Sequence, residues 1–233
     1  MILTRIKKKL GGFFLDIDSL VIKQPGVYGL IGPNGCGKST LAKIIVGLVN
    51  QDSGEIETEG LSQKDITFLS RKPYMMDDTV YNNLVYPLLL RNIKPDKKLV
   101  DEYLNKMNFC GREKQMAKSL SGGEQQKLAF LRAVIFKPKL IIADEAMTAM
   151  DLDSLDLFEK TVLEEQKKEK SIWIIISHQM PHLRRICDFF YFMFDGKIET
   201  QGNGKEIFSD VTNQRLKKYL RSYTGEKNEA AQS

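Results

Sequence analysis

The sequence predicts an α/β fold, a mainly parallel sheet flanked by helices, on three observations. Short apolar runs recur at residues 27–31, 140–143, Ile172–Ile176 and Phe189–Phe194. Stretches with helical apolar spacing alternate with them. A glycine-rich loop joins the first run to the first such stretch, where open parallel sheets carry ligands.

Each element has its own signal. Residues 27–31 read as a strand, and Leu41, Ile44, Ile45 and Leu48 follow at helical spacing. Gly47 and the stretch 50–54 end that helix. Between Pro73 and Leu120, β-branched runs are few, and Pro87 and Pro95 punctuate segments rich in Leu, Lys and Asn. This predicts a helical insertion over about 73–135. Leu128, Leu131, Val134 and Ile135 mark one helix face, which Pro138 stops. The run 140–143 reads as a fully buried strand. Leu152, Leu155, Phe158 and Val162 predict another helix, continued by the charged stretch 164–170. Ile172–Ile176 and Phe189–Phe194 are further strands, the last entering an Asp195-Gly196 hairpin turn. The aromatic density of that last strand reads as core. The ordered domain is expected over 1–221, followed by a polar tail at 222–233.

Composition bounds the function. A 233-residue chain with 42% hydrophobic and 28% charged residues supplies a buried core. The net charge of +5 is modest, and clusters such as Lys7-Lys8-Lys9 read as a solvated face, so no nucleic-acid partner is expected. Cys36, Cys110 and Cys187 lie too far apart for a disulfide framework or zinc site and fit a reducing compartment. No charged-then-apolar leader opens the sequence, and the apolar runs are too short to cross a bilayer. A soluble protein is expected, with any membrane role exerted through a partner.

Three motifs carry the chemistry. Gly32-Pro33-Asn34-Gly35-Cys36-Gly37-Lys38-Ser39-Thr40 matches the phosphate-binding loop pattern in full. Its glycines let backbone amides approach phosphate oxygens, and the following helix offers its positive end to the same anions. Lys38 can reach the β- and γ-phosphates, and the Ser39 hydroxyl can coordinate Mg²⁺. The apolar run 140–143 ends in Asp144-Glu145. Asp144 can hold the Mg²⁺ shell, and Glu145 can polarise an attacking water. The third motif, Leu120-Ser121-Gly122-Gly123-Glu124-Gln125-Gln126, precedes an amphipathic helix.

This last motif resembles the signature of ATP-binding-cassette (ABC) ATPases, and the resemblance spans nearly the whole chain. It implies a P-loop NTPase of ABC type: a mainly parallel core, an N-terminal antiparallel β part and an inserted helical subdomain. It implies two subunits sandwiching two ATP molecules with Mg²⁺, so that Ser121, Gly122, Gly123 and Glu124 face the partner's nucleotide. His178 resembles the family's γ-phosphate-sensing histidine, while His182 has no matching role and is expected at the surface. Asp151 resembles the dimer-contact loop. The pattern Thr79-Val80-Tyr81-Asn82-Asn83-Leu84 looks like the region where a permease subunit docks on bacterial importer ATPases. The Leu10-Gly11-Gly12-Phe13 opening is similar to ATPases serving tungstate, molybdate or related oxyanions.

The implied protein is a Mg-dependent ATPase on the cytoplasmic face of a membrane. Its partners would be a second cassette, a permease and an extracytoplasmic binding protein. The competing reading is a non-transport or regulatory cassette with weak hydrolysis. The sequence departs from the pattern at Arg71, where the family carries glutamine. Arginine cannot ligate Mg²⁺, which leaves a phosphate or carboxylate contact, or solvent. Ala146, Thr148 and Met150 replace the usual proline, serine and leucine. Leu10 stands where an aromatic usually stacks on adenine. Phe13 or Phe14 could substitute, and their alternative is core of the first strands.

Overall fold

A computed structural model of the chain describes residues 1–209 and 212–224. They divide into two compact units.

The first unit comprises residues 1–23, 28–57 and the described part of 178–233. Strands β1 (Ile2–Leu10) and β2 (Phe13–Val21) pair antiparallel, with Leu10 opposite Phe13 across Gly11-Gly12. Leu3, Ile6, Leu15, Ile17 and Leu20 are buried, and the inward parity changes between Leu3 and Ile6, beside left-handed Arg5 (φ 51°), and between Ile17 and Leu20. Strand β4 (Ser53–Glu57) pairs antiparallel with the other edge of β1, across a register shift between Thr4 and Lys7. Lys8 Nζ reaches Asp52 Oδ1 at 2.6 Å.

Strand β3 (Gly26–Ile31) contributes Tyr28–Ile31, which run parallel to β8 (Phe189–Phe194). Strand β9 (Lys197–Asn203) returns antiparallel to β8. The connecting Asp195 and Gly196 have φ of 46° and 76°, the paired left-handed geometry that a two-residue hairpin turn requires. Phe190, Tyr191, Phe192 and Met193 are buried, so the aromatic run is core as expected. The unit is completed by α1 (Lys38–Ile45), α6 (Met180–Ile186), α7 (Gly204–Ser209) and α8 (Gln214–Thr224). The rest of the tail expected at 222–233 lies outside the described residues from residue 225 on.

Two expectations fail here. The first helix stops at Ile45 and Gly47 turns left-handed (φ 74°), so Leu48 falls beyond the turn and is 64% exposed. Phe14 is not core: inward Leu15 and Ile17 fix the odd positions at the start of β2 on the buried face, and Phe14 points out, 48% exposed.

The second unit comprises residues 24–27 and 58–177. Strands β5 (Ile66–Leu69), β6 (Leu140–Asp144) and β7 (Ile172–Ile176) are parallel, with Ile66 opposite Leu140 and Leu140 opposite Ile172. Every residue of β6 is buried, which is why its sequence shows no alternation. Helices α2 (Val80–Leu89), α3 (Lys97–Lys106) and α4 (Gly122–Val134) all fall between residues 73 and 135. Helix α5 (Leu152–Glu169) packs Phe158 on Phe130 of α4 at 4.5 Å between ring centroids, and Phe130 lies 6.2 Å from Trp173 of β7. Pro87 sits inside α2 rather than breaking it. Burial of Val80, Leu84, Val85 and Leu88 along α2 outweighs the lost backbone hydrogen bond.

Asn83, fully buried, organises the approach to α2. Its side-chain amide donates to the carbonyls of Met76, Asp78 and Thr79, and its oxygen accepts from the Met76 N–H.

Candidate functional site

In the first unit the phosphate loop runs from the end of β3 into α1. Two glycines are required by their surroundings. At Gly32 (φ 149°) a Cβ would sit 2.1 Å from the Met193 carbonyl oxygen of β8, and at Gly37 (φ 104°) it would lie 2.7 Å from the Phe13 ring. Lys38 is buried, and its ammonium donates to the Gly32 and Pro33 carbonyls at 2.7 and 2.9 Å. The cation is thereby held against the loop, where a polyphosphate would find it. Ser39, in the first turn of α1, is exposed, as are Asn34 and Gly35, while Thr40 is half-buried. Burial pushes the Cys36 thiol pKa up, against the lowering influence of Lys38, which keeps Cys36 a small packed side chain rather than a thiolate.

His178 also belongs to this unit. Its Nδ1 lies 3.0 Å from the Tyr223 hydroxyl on α8. His182, half-buried, accepts at Nδ1 from Arg185 Nη2 at 2.7 Å.

The second unit carries the acidic strand end and the signature turn. Asp144 closes β6 and is buried. Glu145 follows in left-handed backbone (φ 53°), a conformation that costs a non-glycine residue energy and marks functional turns. The turn is pinned on both sides: the Glu145 N–H donates to Ile176 O at 2.9 Å, and Thr148 Oγ1 donates to the Glu145 carbonyl at 2.7 Å. Asp151 caps α5, its carboxylate accepting from Ser154 N at 2.8 Å and from the Ser154 hydroxyl.

The signature turn is a capping box on α4. Ser121 Oγ accepts from Glu124 N at 3.3 Å, and Glu124 Oε2 accepts from Ser121 N at 2.9 Å. Glu124 Oε1 also receives Arg112 Nη1 at 2.6 Å. The Arg112 guanidinium, with the Ser121 amide, lowers the Glu124 pKa to about 2. Glu124 therefore shapes the helix start through a permanent negative charge. Ser121 uses an oxygen lone pair in the box. A Cβ on Gly122 would meet open space, whereas one on Gly123 would lie 2.8 Å from Ala149 O. The first glycine keeps a face clear, and the second lets the loop before Asp151 approach α4.

The residue that joins these parts is Gln126, which spacing alone did not single out as a site residue. It is 5% exposed. Its Nε2 donates to the Arg71 carbonyl at 3.0 Å, and its Oε1 accepts from the Ala149 N–H at 3.1 Å. One amide thus ties the Arg71 segment, the signature helix and the loop before Asp151. The Arg71 side chain itself is exposed. The detectable signal was a polar residue on the buried face of an amphipathic helix. Gln126→Ala, which strands a donor and an acceptor, is expected to cost about 1–3 kcal/mol of stability, readable by chemical denaturation. An unchanged midpoint would remove Gln126 from this role.

Among the described residues, no helix is long and apolar enough to cross a membrane. The sequence pattern of the ABC transporter family matches residues 15–148, more than half of the chain. The Tungstate uptake system ATP-binding protein TupC of Peptoclostridium acidaminophilum is 33% identical over 202 residues, 84% of this chain and 94% of the relative. The Phosphate import ATP-binding protein PstB of Saccharolobus solfataricus is 30% identical over 229 residues, 88% of each. A solved ATP-binding subunit of an ABC transporter superposes with a TM-score of 0.82 at 19% identity, covering 96% of this chain and 98% of that one. On the family match, its relatives and the motifs above, the chain belongs to the ABC transporter family, as an ATP-binding and ATP-hydrolysing subunit.

Proposed function

We propose that the chain works as a single ABC ATPase domain over residues 1–221, on the cytoplasmic face of a membrane, and powers import of an oxyanion of the tungstate or molybdate kind. The family supplies the ATPase. The oxyanion rests on one observation, the extent of the likeness to the tungstate relative, which spans 94% of that protein. Cargo never touches the nucleotide motor, so side-chain chemistry here cannot choose it.

In the proposed cycle ATP draws two cassettes together, water attacks the γ-phosphate in line, and phosphate release reopens the pair. Backbone amides from Gly32 to Thr40 hold the polyphosphate, and Lys38 stabilises charge on the transferring group. Glu145 orients and polarises the water, and His178 donates to the γ-phosphate. Mg²⁺, bound with the nucleotide, would be held by the Ser39 hydroxyl and the Asp144 carboxylate and would neutralise phosphate charge. Oxygen ligands of this kind suit that hard cation. From the partner, the clear face at Gly122 and the Ser121 hydroxyl would complete the anion site. The Asp151 loop would signal between subunits.

A permease would dock on the second unit. A groove of about 530 Å³ there is lined by Thr67, Tyr74, Tyr86, Arg91 and Phe136 among others, and α2 exposes Tyr86 and Leu89. Exposed aromatic and aliphatic groups around a groove are typical anchors for a partner helix. The extracytoplasmic binding protein would act on the far side of that permease.

The test is transport. Vesicles reconstituted with this chain and the permease it copurifies with are expected to accumulate tungstate or molybdate with ATP, and neither phosphate nor methionine. Phosphate or methionine uptake without tungstate or molybdate uptake would reassign the cargo. Absence of turnover even with the permease would favour the regulatory reading.

A further inference from the structure

Helix α8 lies far in sequence from every motif, yet it reaches His178. Leu216 and Leu220 are buried along one side of α8. Arg215 pairs with Glu199 of β9 at 2.5 Å, and the Tyr219 ring sits 5.5 Å from Phe192 of β8. The next turn places Tyr223 on the same face, its ring 5.2 Å from that of Tyr219. The Tyr223 and Tyr219 hydroxyl oxygens are 3.2 Å apart, and Tyr223 Oη is 3.0 Å from His178 Nδ1. Burial pushes the Tyr219 pKa up, so this hydroxyl keeps its proton.

We propose that Tyr223 and Tyr219 form a positioning relay that fixes the aim of the His178 ring through Nδ1. Each hydroxyl has one proton and can accept, and its rotor is free to choose. Both contacts therefore hold in either ring tautomer. The relay rests on the assignment of His178 above. It adds a dependence of the histidine's aim on helix α8. Neither tyrosine touches the reacting atoms.

Tyr223→Phe in the full chain keeps the ring contact and removes only the hydroxyl, at an exposed position. It is expected to lower kcat for Mg-ATP about 2–10-fold, the worth of one neutral hydrogen bond, with KM within about 2-fold. Tyr219→Phe should lower kcat less, and the double variant should be no slower than Tyr223→Phe, because the two act in series. The signature that a packing role would not move is the His178 imidazole. The chain has two histidines, so nitrogen-15 histidine labelling resolves both. In wild type His178 Nδ1 should show a hydrogen-bonded resonance, and in Tyr223→Phe that nitrogen should shift toward the unbonded value. Unchanged kcat and Nδ1 resonance in Tyr223→Phe, beside an inactive His178→Ala, would overturn the relay alone. Full turnover by His178→Ala would instead remove the catalytic assignment of His178, and the relay's purpose with it.

Discussion

Lys38→Ala is expected to weaken ATP binding roughly 10–150-fold, the range set by losing charge-assisted hydrogen bonds of about 1.5–3 kcal/mol. The lysine has two duties that the substitution ends together. In the proposed cycle its ammonium is the charge that faces the β- and γ-phosphates, and its bonds to the Gly32 and Pro33 carbonyls hold the loop's first residues in place. The loop's shape does not rest on Lys38 alone. Gly32 packs against the Met193 carbonyl and Gly37 against Phe13, and both contacts survive. Affinity should therefore fall while the fold persists, so calorimetric titration with ATP and a thermal melt together separate the two. Undiminished affinity would mean that the backbone amides alone hold the polyphosphate.

Glu145→Gln is expected to reduce turnover about 10²–10⁴-fold, the usual contribution of a positioned general base, with ATP affinity within about 2-fold. Glutamine has the same shape, and the left-handed turn is held by main-chain bonds to Ile176 and Thr148 that do not involve the carboxylate. The melting temperature should consequently be unaltered. Steady-state phosphate release and nucleotide titration on one preparation test both halves. Turnover within a few-fold of wild type would transfer the water-activating role to another group and remove the reason for the strained backbone at Glu145.

Where sequence and structure agree, one local cause dominates. Strand β6 announces itself because both faces are buried, leaving no polar residue in its apolar run. The hairpin at Asp195-Gly196 is legible because few residue pairs accept φ above zero twice in succession. The phosphate loop is legible because backbone approach to phosphate demands glycine at fixed spacing. Helical spacing failed at Leu48 because periodicity alone cannot see a left-handed turn overrule it at Gly47. Phe14 was misread because hydrophobicity was weighed above the alternation that Leu15 and Ile17 impose.

The parts of the site that sequence left dark are those made by distant residues. Gln126 meets Arg71 and Ala149, and Tyr223 meets His178, across separations that no local pattern encodes. The Glu124 carboxylate is engaged with Ser121 and with Arg112, twelve residues upstream, and holds the signature turn in shape. Arg71 shows the same division between backbone and side chain. Its carbonyl is integrated through Gln126 while its guanidinium is exposed, so a segment can retain its structural tie although the usual side chain is gone.

The central claim is that ATP works by joining two cassettes. Light scattering of the Glu145→Gln chain with and without Mg-ATP tests it most directly. The prediction is the 26.6 kDa mass of one chain without nucleotide and twice that mass with it, reversing when the nucleotide is removed. A chain saturated with ATP that keeps the single mass at every concentration tested would contradict the account.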